Sequence, residues 1–306
     1  MEDRIADRNG AGRIFPGVRF VAEVSSNHHA RLDRCLAFVD EAARIGCDAV
    51  KFQLFRVDEL FAPEILARSP DHRARHRWEL PERFLPALAE RARARGLAFG
   101  CTPFSLRAVE ALRPHVDFLK IASYELLYEP LLAACAGTGL PVVLSTGMAT
   151  EAEVHRAVEV LEGAGCRELT LLHCVSGYPT PPEQANLSAL EALRAIGPRH
   201  PGMRLSVGLS DHTTRPGVVH RAVHRFGASL VEFHLDLDGR GEEFAAGHCW
   251  LPGPAAELIS EVREGLRADG DGTKAPVPVE LPDRAWRADP RDGLRPLREI
   301  RESFQP

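Results

Sequence analysis

Three lysines and two histidines are the residues of this sequence whose types and positions best suit chemistry. Lys and Arg together number 38, yet lysine occurs only at Lys51, Lys120 and Lys274. Because arginine fills the other cationic positions, we expect each lysine to have a role that a planar guanidinium does not serve. His212 and His234 lie at the ends of two neighbouring predicted strands, where their imidazoles can approach one divalent metal ion such as Mn²⁺, Co²⁺ or Zn²⁺.

Further polar side chains stand where predicted strands end. Lysines and hydroxyls together provide the charge and the directional donors that a phosphate or carboxylate needs. Buried lysines would be costly without an anion to compensate them. For a single Ser or Thr the alternative is a strand-end cap. For the histidines it is a hydrogen-bonded loop pair of Asp211 and His212, with His234 as a hydrogen-bonded residue at the rim. The other candidates at these ends are Glu23, Asn27, Gln53, Thr102, Ser123, Glu125, Ser145, Tyr178 and Ser210.

Short apolar runs alternate with amphipathic helical stretches, which is the pattern of βα repeats and a parallel sheet. Eight such strands favour a closed (β/α)₈ TIM barrel, although an open doubly wound sheet uses the same units. In a barrel the active site lies at the carboxyl ends of the strands. The predicted strands are Arg19–Val24, Ala49–Gln53, Ala98–Cys101, Phe118–Ile121, Val142–Ser145, Leu169–His173, Leu205–Gly208 and Leu230–His234.

The chain divides into three predicted segments. Residues 1–16 form an N-terminal extension, residues 17–270 the barrel, and residues 271–306 a tail that we expect to pack on the barrel. The long section 55–80 follows the second strand, and long loops in barrels are usually functional lids or oligomer contacts. The predicted architecture is a single domain with a short irregular C-terminal tail.

Composition limits the partners that this chain can have. The apolar fraction is 44% and the net charge is −5, which argues against nucleic acid as the main partner. No run of about 18 uncharged apolar residues occurs, so we expect no membrane span and no membrane partner. Seven cysteines at scattered spacings suggest reduced thiols in the cytoplasm.

Eight short motifs together resemble the sialic acid synthase (N-acetylneuraminate synthase) family, which condenses phosphoenolpyruvate with an aldose. The resemblance runs from about Phe20 to Lys274. Its motifs occur in the expected order along the chain. They are AEVSSNHH (22–29), DAVKFQ (48–53), CTPF (101–104), LKIASYE (119–125), LSTGMAT (144–150), LHCVSGYPTP (172–181), GLSDHT (208–213) and VEFH (231–234).

The resemblance implies a role for each matching residue. Lys51, Lys120 and Lys274 would hold phosphoenolpyruvate, and His212 and His234 would bind the metal. Two acidic residues, Glu23 and Glu125, would lie beside the reacting carbons, with Glu23 as the first choice for positioning water. The hydrogen-bond donors to phosphoenolpyruvate would be Gln53, Thr102, Ser123, Ser145 and Ser210, and the sugar-side contacts Asn27 and Tyr178.

The implied reaction forms a carbon–carbon bond and releases phosphate from a hemiketal phosphate. The product would be a 2-keto-3-deoxy sugar acid of the sialic acid type. The resemblance favours Mn²⁺ as the metal, with Mg²⁺, Co²⁺ and Zn²⁺ as alternatives. It also makes a cytoplasmic homodimer the default expectation.

Three departures from the family pattern concern the sugar side of the site. By this resemblance we expect the chain to lack the C-terminal antifreeze-like domain that family members commonly append. The acidic residue usual in a Gly-Pro-Asp-His stretch after strand eight is absent, and Glu242 and Glu243 are possible substitutes. An asparagine frequent before the Tyr-Pro pair is replaced by Ser176-Gly177. The identity of the sugar acceptor is therefore left open.

Other functions remain compatible with parts of the pattern. A metal-independent aldolase would use Lys51 or Lys120 to form a Schiff base. A metal-dependent sugar isomerase or epimerase would need the histidines but not three lysines. A non-catalytic sugar-binding barrel would need neither phosphoenolpyruvate nor the metal.

Overall fold

The structure, a computed structural model, describes residues 17–304 and has a closed parallel barrel as its centre. Neighbouring strands pair in chain order, and β8 also pairs with β1, which closes the sheet. The predicted (β/α)₈ barrel is confirmed. The predicted N-terminal extension 1–16 lies outside the described residues. The strands are β1 (Arg19–Glu23), β2 (Ala49–Leu54), β3 (Ala98–Pro103), β4 (Phe118–Ile121), β5 (Val142–Ser145), β6 (Glu168–Cys174), β7 (Arg204–Asp211), β8 (Leu230–Leu235) and a short β9 (Cys249–Trp250).

Amphipathic helices cover the outside of the barrel. In the first helix Cys35, Phe38, Val39 and Ala42 are buried, and their spacing forms one apolar face. The helices are α1 (Leu32–Arg44), α2 (Val57–Leu60), α3 (Pro63–Arg68), α4 (Pro70–Ala74), α5 (Leu85–Ala94), α6 (Leu106–Leu112), α7 (Glu129–Gly137), α8 (Glu151–Gly163), α9 (Ala189–Arg194), α10 (Pro216–His220), α11 (Glu242–Ala246), α12 (Pro252–Ala268) and α13 (Arg298–Glu302).

An apolar layer fills the barrel below the carboxyl ends of its strands. It consists of Val21, Ala49, Val143, Leu172 and Leu230, with Ala98 and Phe118 packed against them. Gly100 is required here, because a Cβ at this position would overlap the ring of Phe118. Side chains two positions apart point to the same face of a strand. The next layer towards the mouth therefore comes from residues two positions later, such as Glu23 after Val21.

The segments that follow β2 and β8 add further structure to the mouth of the barrel. The section 55–80 contains α2, α3, α4 and a 3₁₀ helix at Arg75–Trp78, so it is an ordered excursion. After β8 the chain forms α11 and returns as β9, which pairs with β8 in parallel. This pairing sets Cys249 beside His234. The return strand was not predicted from the sequence.

The described chain divides into two compact units between Leu266 and Arg267. The second unit contains short helices, including α13, and is held internally by Asp289 and Asp292. Asp289 accepts hydrogen bonds from the backbone N–H groups of Arg291 and Arg298 at 3.0 and 2.9 Å. Within residues 17–304, no helix is both long and apolar enough to cross a membrane.

Candidate functional site

Two lysines and two glutamates form a charged layer at the carboxyl ends of the strands. Lys51 forms an ion pair with Glu23, which the β1–β2 register places beside it. The ammonium of Lys51 also lies 3.9 Å from one oxygen of Glu232, and that of Lys120 lies 3.8 Å from the other. All four residues are buried. Glu232 therefore bridges the two lysines, a role that the sequence analysis missed.

Burial and charge act differently on the two ammonium groups. Burial disfavours a charged Lys51, but Glu23 and Glu232 outweigh it and raise the pKa of Lys51 above its ordinary value. Burial lowers the pKa of Lys120 by more than the attraction of Glu232 raises it, and repulsion from Lys51 lowers it further. Burial opposes ionisation of Glu232, yet Lys120 and Lys51 hold its pKa below the usual value. Lys120 is thus the cation with the weaker internal compensation.

The anions that compensate the buried lysines are present in the protein itself, as the carboxylates of Glu23 and Glu232. Two lysines face two glutamates in the same layer, so formal charges balance without a ligand. Burial of such a pair is tolerated when each charge has a partner. The lysines alone therefore do not establish an anion site.

Hydroxyl and amide groups surround this layer. Thr102 accepts a hydrogen bond from Lys51 at 3.3 Å, and Ser210 donates one to Glu232 at 3.1 Å. The side-chain amide of Gln53 donates to Glu23 at 2.7 Å. Ser145 lies at the end of β5, beside the same layer. Four of the five predicted hydroxyl and amide donors therefore lie in or beside this layer, and Ser123 is the fifth.

Two serines differ in what their hydroxyls contact. The Ser145 hydroxyl is buried and has no hydrogen-bond partner among the described residues. Such a group is available to a ligand oxygen, since an unpaired buried hydroxyl is costly. The Ser123 hydroxyl accepts from the backbone N–H of Gly147 at 3.0 Å, which ties the ends of β4 and β5 together.

Glu125 follows β4 and lies in the wall of a cavity at the mouth. One of its carboxylate oxygens is buried and has no hydrogen-bond partner among residues 17–304. Burial raises the pKa of Glu125 to about 7, against an opposing attraction by Lys120. A carboxyl group that titrates near neutral pH is suited to proton transfer.

His212 and His234 approach each other, with ring centroids 5.3 Å apart. His212 Nδ1 lies 2.9 Å from the carbonyl oxygen of Val175, and His234 Nδ1 lies 2.8 Å from a carboxylate oxygen of Glu243. Both Nδ1 atoms are therefore engaged as donors. The Nε2 atoms are left with lone pairs, the arrangement in which metal-binding histidines are usually held. The donor chemistry fits a divalent ion between the two rings.

The structure separates the two candidate acids that follow β8. Glu243 is half-buried, accepts hydrogen bonds from Ser26, and contacts His234. Glu242 is exposed and pairs with Arg77 at 2.9 Å. Glu243 is therefore the acid that reaches the histidines.

The predicted sugar-side residues fall in different places. Tyr178 is partly exposed, and its ring lies 4.2 Å from the ring of His212. Asn27 is buried, and its amide donates to the carbonyl oxygen of Leu235 at 3.0 Å. The amide of Asn27 thus holds the last residue of β8, and its contact with the sugar stays a prediction. Lys274 is exposed in the second unit, and its role stays a prediction.

A cavity of about 850 Å³ opens at this mouth. Glu125, Tyr178, His234, Glu243 and His248 are among its lining residues. A largely apolar part of the lining comes mainly from the section 55–80. Its members are Phe55, Leu60, Phe61, His72, Arg75, Trp78 and Phe104.

The closed parallel barrel and the position of these side chains define a TIM-barrel protein with a site at the carboxyl ends of its strands. Residues 38–274 match the NeuB family. The chain therefore belongs to the NeuB family, and the resemblance inferred from the motifs is confirmed.

Similar proteins cover most of the chain. N,N'-diacetyllegionaminic acid synthase of Campylobacter jejuni is 32% identical over 269 residues, covering 83% of this chain and 78% of that protein. An uncharacterized protein of Methanocaldococcus jannaschii is 37% identical over 262 residues, covering 85% and 74%. The crystal structure of a sialic acid synthetase from Leptospira borgpetersenii, in complex with citrate, aligns with a TM-score of 0.76 at 30% identity, covering 88% and 90%.

Proposed function

We propose that this chain condenses phosphoenolpyruvate with an aldose and releases phosphate. The product is a 2-keto-3-deoxy sugar acid of the sialic acid type. The observation that carries the proposal is the meeting of Lys51, Lys120, Glu125 and the paired histidines at one mouth. Membership of a family whose named relatives make sugar acids supports the same reaction.

Phosphoenolpyruvate is proposed to bind above the charged layer. Lys120 is the less compensated ammonium there, and the free Ser145 hydroxyl supplies a directional donor. Lys51, Thr102 and Ser210 already form the surrounding network. Gln53 and Ser123 complete the rim, and Lys274 is assigned to the same ligand from the family resemblance alone.

Glu125 is proposed as the general base. The C2=C3 π electrons of phosphoenolpyruvate form the new bond from C3 to the aldehyde carbon. The aldehyde π bond opens, its oxygen takes up a proton to become a hydroxyl, and water adds at the electron-poor C2. Glu125 takes the proton of that water, because its pKa of about 7 leaves it ready to accept one. The hemiketal phosphate then loses phosphate and leaves the keto group. Glu23 is paired with Lys51 and Gln53, so its proposed role is to position those two side chains and not to act as the base.

His212 and His234 are proposed to hold the divalent metal through Nε2. Mn²⁺ is the proposed ion, with Mg²⁺, Co²⁺ and Zn²⁺ as alternatives. When bound, the ion polarises the aldehyde oxygen as a Lewis acid. The ring of Tyr178 lies close to both histidines and limits the space above them.

The cellular setting is proposed from the cysteines and the family. All seven cysteines are free and buried, which fits a reducing cytoplasm. A homodimer is proposed from the family resemblance. Phosphoenolpyruvate and an aldose are the proposed substrates.

A Schiff-base aldolase is the second candidate, because burial lowers the pKa of Lys120 and so favours a nucleophilic amine. Borohydride in the presence of a keto acid would then attach the substrate covalently to Lys120. The synthase reaction leaves no such adduct.

Phosphate release tests the proposed function directly. The purified protein is incubated with phosphoenolpyruvate, Mn²⁺ and a panel of hexosamines, pentoses and diamino sugars. Release that depends on one aldose and on the metal supports the proposal. Folded protein that binds metal and yet releases no phosphate with any of these aldoses would overturn it.

A further inference from the structure

Four side chains of metal-binding type converge on the Nδ1 side of His234. They are His234, Glu243, His248 and Cys249, and their ligand atoms all lie within 4.8 Å of one another. One oxygen of Glu243 is the common neighbour. It lies 2.8 Å from His234 Nδ1, 3.6 Å from His248 Nε2 and 3.8 Å from the sulfur of Cys249.

We infer that these four residues form a second metal-binding position, suited to Zn²⁺ or Co²⁺. Two imidazoles, one carboxylate and one thiol are the donor types that bind these ions in tetrahedral sites. This position lies across the His234 ring from the one proposed between His212 and His234. An ion here takes the place of the Nδ1 proton that His234 otherwise donates to Glu243, so both positions fill together only with His234 as a bridging imidazolate. The second position shares His234 with the proposed function but does not depend on the reaction.

The fold holds these groups before any ion binds. The β8–β9 register sets Cys249 beside His234. The indole N–H of Trp250 donates to Asp211 at 3.1 Å and so fixes the same short strand. His234, His248 and Cys249 are all buried.

A second set of contacts orients the ligands, as is usual around bound metals. Ser26 donates to the outer oxygen of Glu243 through its backbone N–H at 3.2 Å and its hydroxyl at 2.8 Å. The amide of Asn27 points at the sulfur of Cys249 at 3.6 Å, which would stabilise a thiolate. His248 Nδ1 is buried and has no hydrogen-bond partner in the described part of the chain.

The alternative is that Glu243, His248 and Cys249 only support the ring of His234. Glu243 would then act as the carboxylate that fixes the His234 tautomer for an ion at Nε2. The two arrangements differ in whether metal is retained after His212 is removed. They also differ in whether sulfur contacts the ion.

The test uses the full chain with the substitution His212→Ala, which removes the ligand that belongs only to the proposed catalytic position. After chelator treatment, Zn²⁺ is added, excess is removed by desalting, and metal content is measured. Retention of one Zn²⁺ per chain is expected. Co²⁺ should give a thiolate-to-metal charge-transfer band that disappears in His212→Ala/Cys249→Ser.

Matched variants in the His212→Ala background locate the ligands. Glu243→Gln and His248→Gln are each expected to weaken Zn²⁺ binding by roughly tenfold or more, the scale of losses at metal sites. The neighbouring Glu242→Gln is the control and should leave Zn²⁺ affinity unchanged. Circular dichroism confirms that each variant is folded.

Folded His212→Ala protein that retains no Zn²⁺, or a Co²⁺ spectrum that Cys249→Ser does not change, would overturn the inference. The outcome is independent of the proposed reaction. Wild-type protein could fail to release phosphate with every aldose while His212→Ala still binds one ion. Conversely, an active enzyme whose metal is lost entirely with His212 would refute only the second position.

Discussion

The carboxylate of Glu23 forms an ion pair with the ammonium of Lys51 inside the barrel, where both side chains are almost fully buried. The adjacent strands β1 and β2 place the two residues in register. Gln53 and the backbone N–H of Ser25 also donate to Glu23. The pair is therefore part of a network that sets both the charge and the shape of the mouth.

Loss of one member of this pair should destabilise the fold more than loss of both. Lys51→Met leaves Glu23 buried without its cation, which we expect to cost about 3–5 kcal/mol of unfolding free energy. The double variant Lys51→Met/Glu23→Gln should recover part of that loss, because neither change then leaves an unpaired charge. Urea unfolding of both variants provides the measurement. A double variant no more stable than Lys51→Met would contradict this view of the pair.

The pH dependence of turnover should report Glu125. Burial raises its pKa to about 7, so the fraction that is ionised and able to accept a proton rises as pH increases through 7. For a general base, kcat should therefore rise about tenfold per pH unit below pH 7 and level off above it. Glu125→Gln should lower kcat by about 10²–10⁴ and remove this limb.

Two measurements separate that role from a structural one. The affinity of the Glu125→Gln variant for phosphoenolpyruvate, measured by calorimetry, should remain close to that of the wild type. The variant should also keep the wild-type melting temperature at pH 6, where Glu125 is mostly protonated. A Glu125→Gln enzyme that retains the rising limb near pH 7 would show that another group is the base.

Much of the charged layer was predictable from the sequence, because the positions of its residues depend on local hydrophobic periodicity. Lys51 and Lys120 fall in apolar runs whose strand character is clear, and the strands of a parallel barrel deliver such residues to one end. Glu232 follows from the same rule, since it lies two residues before His234 and so points to the same face. Its position in the strand was visible in the sequence, but its two lysine partners were not.

The fold of the segment after β8 could not be predicted from hydrophobic periodicity. β9 has only two residues, and α11 only five, so neither produces a detectable pattern. The choice between Glu242 and Glu243 depends on how this segment folds back over Ser26. The hydrogen bond of Asn27 was equally hidden from the sequence, because its partner is a backbone carbonyl of β8, far away along the chain.

The apolar layer below the site should be sensitive to added volume at Gly100. Gly100→Ala is expected to cost about 1–3 kcal/mol of unfolding free energy, since its Cβ would overlap the Phe118 ring. Phe118→Leu shortens the side chain that causes the overlap. The double variant Gly100→Ala/Phe118→Leu should therefore be more stable than the sum of the two single changes predicts. Additive losses in chemical denaturation would argue against direct contact between these positions.

Replacement of Arg75 should weaken binding of the aldose and leave binding of phosphoenolpyruvate unchanged. Its guanidinium lies 5.3 Å from the Phe61 ring and 5.5 Å from the Trp78 ring, in the lining of the cavity. Within residues 17–304 its side chain has no carboxylate partner, which leaves its N–H groups free for a ligand oxygen. Arg75→Gln should raise the KM for the aldose by about three- to tenfold, the contribution of one hydrogen bond. The KM for phosphoenolpyruvate should not change.

Arg73→Gln is the matched control for that experiment. Arg73 belongs to the same excursion, but it is exposed and its guanidinium donates to the carbonyl oxygen of Leu66. Both KM values should stay at their wild-type levels in this variant. Equal effects of the two substitutions on the aldose KM would mean that section 55–80 acts through its overall charge or folding. An Arg75-specific increase would instead establish the excursion as the wall that the acceptor sugar contacts.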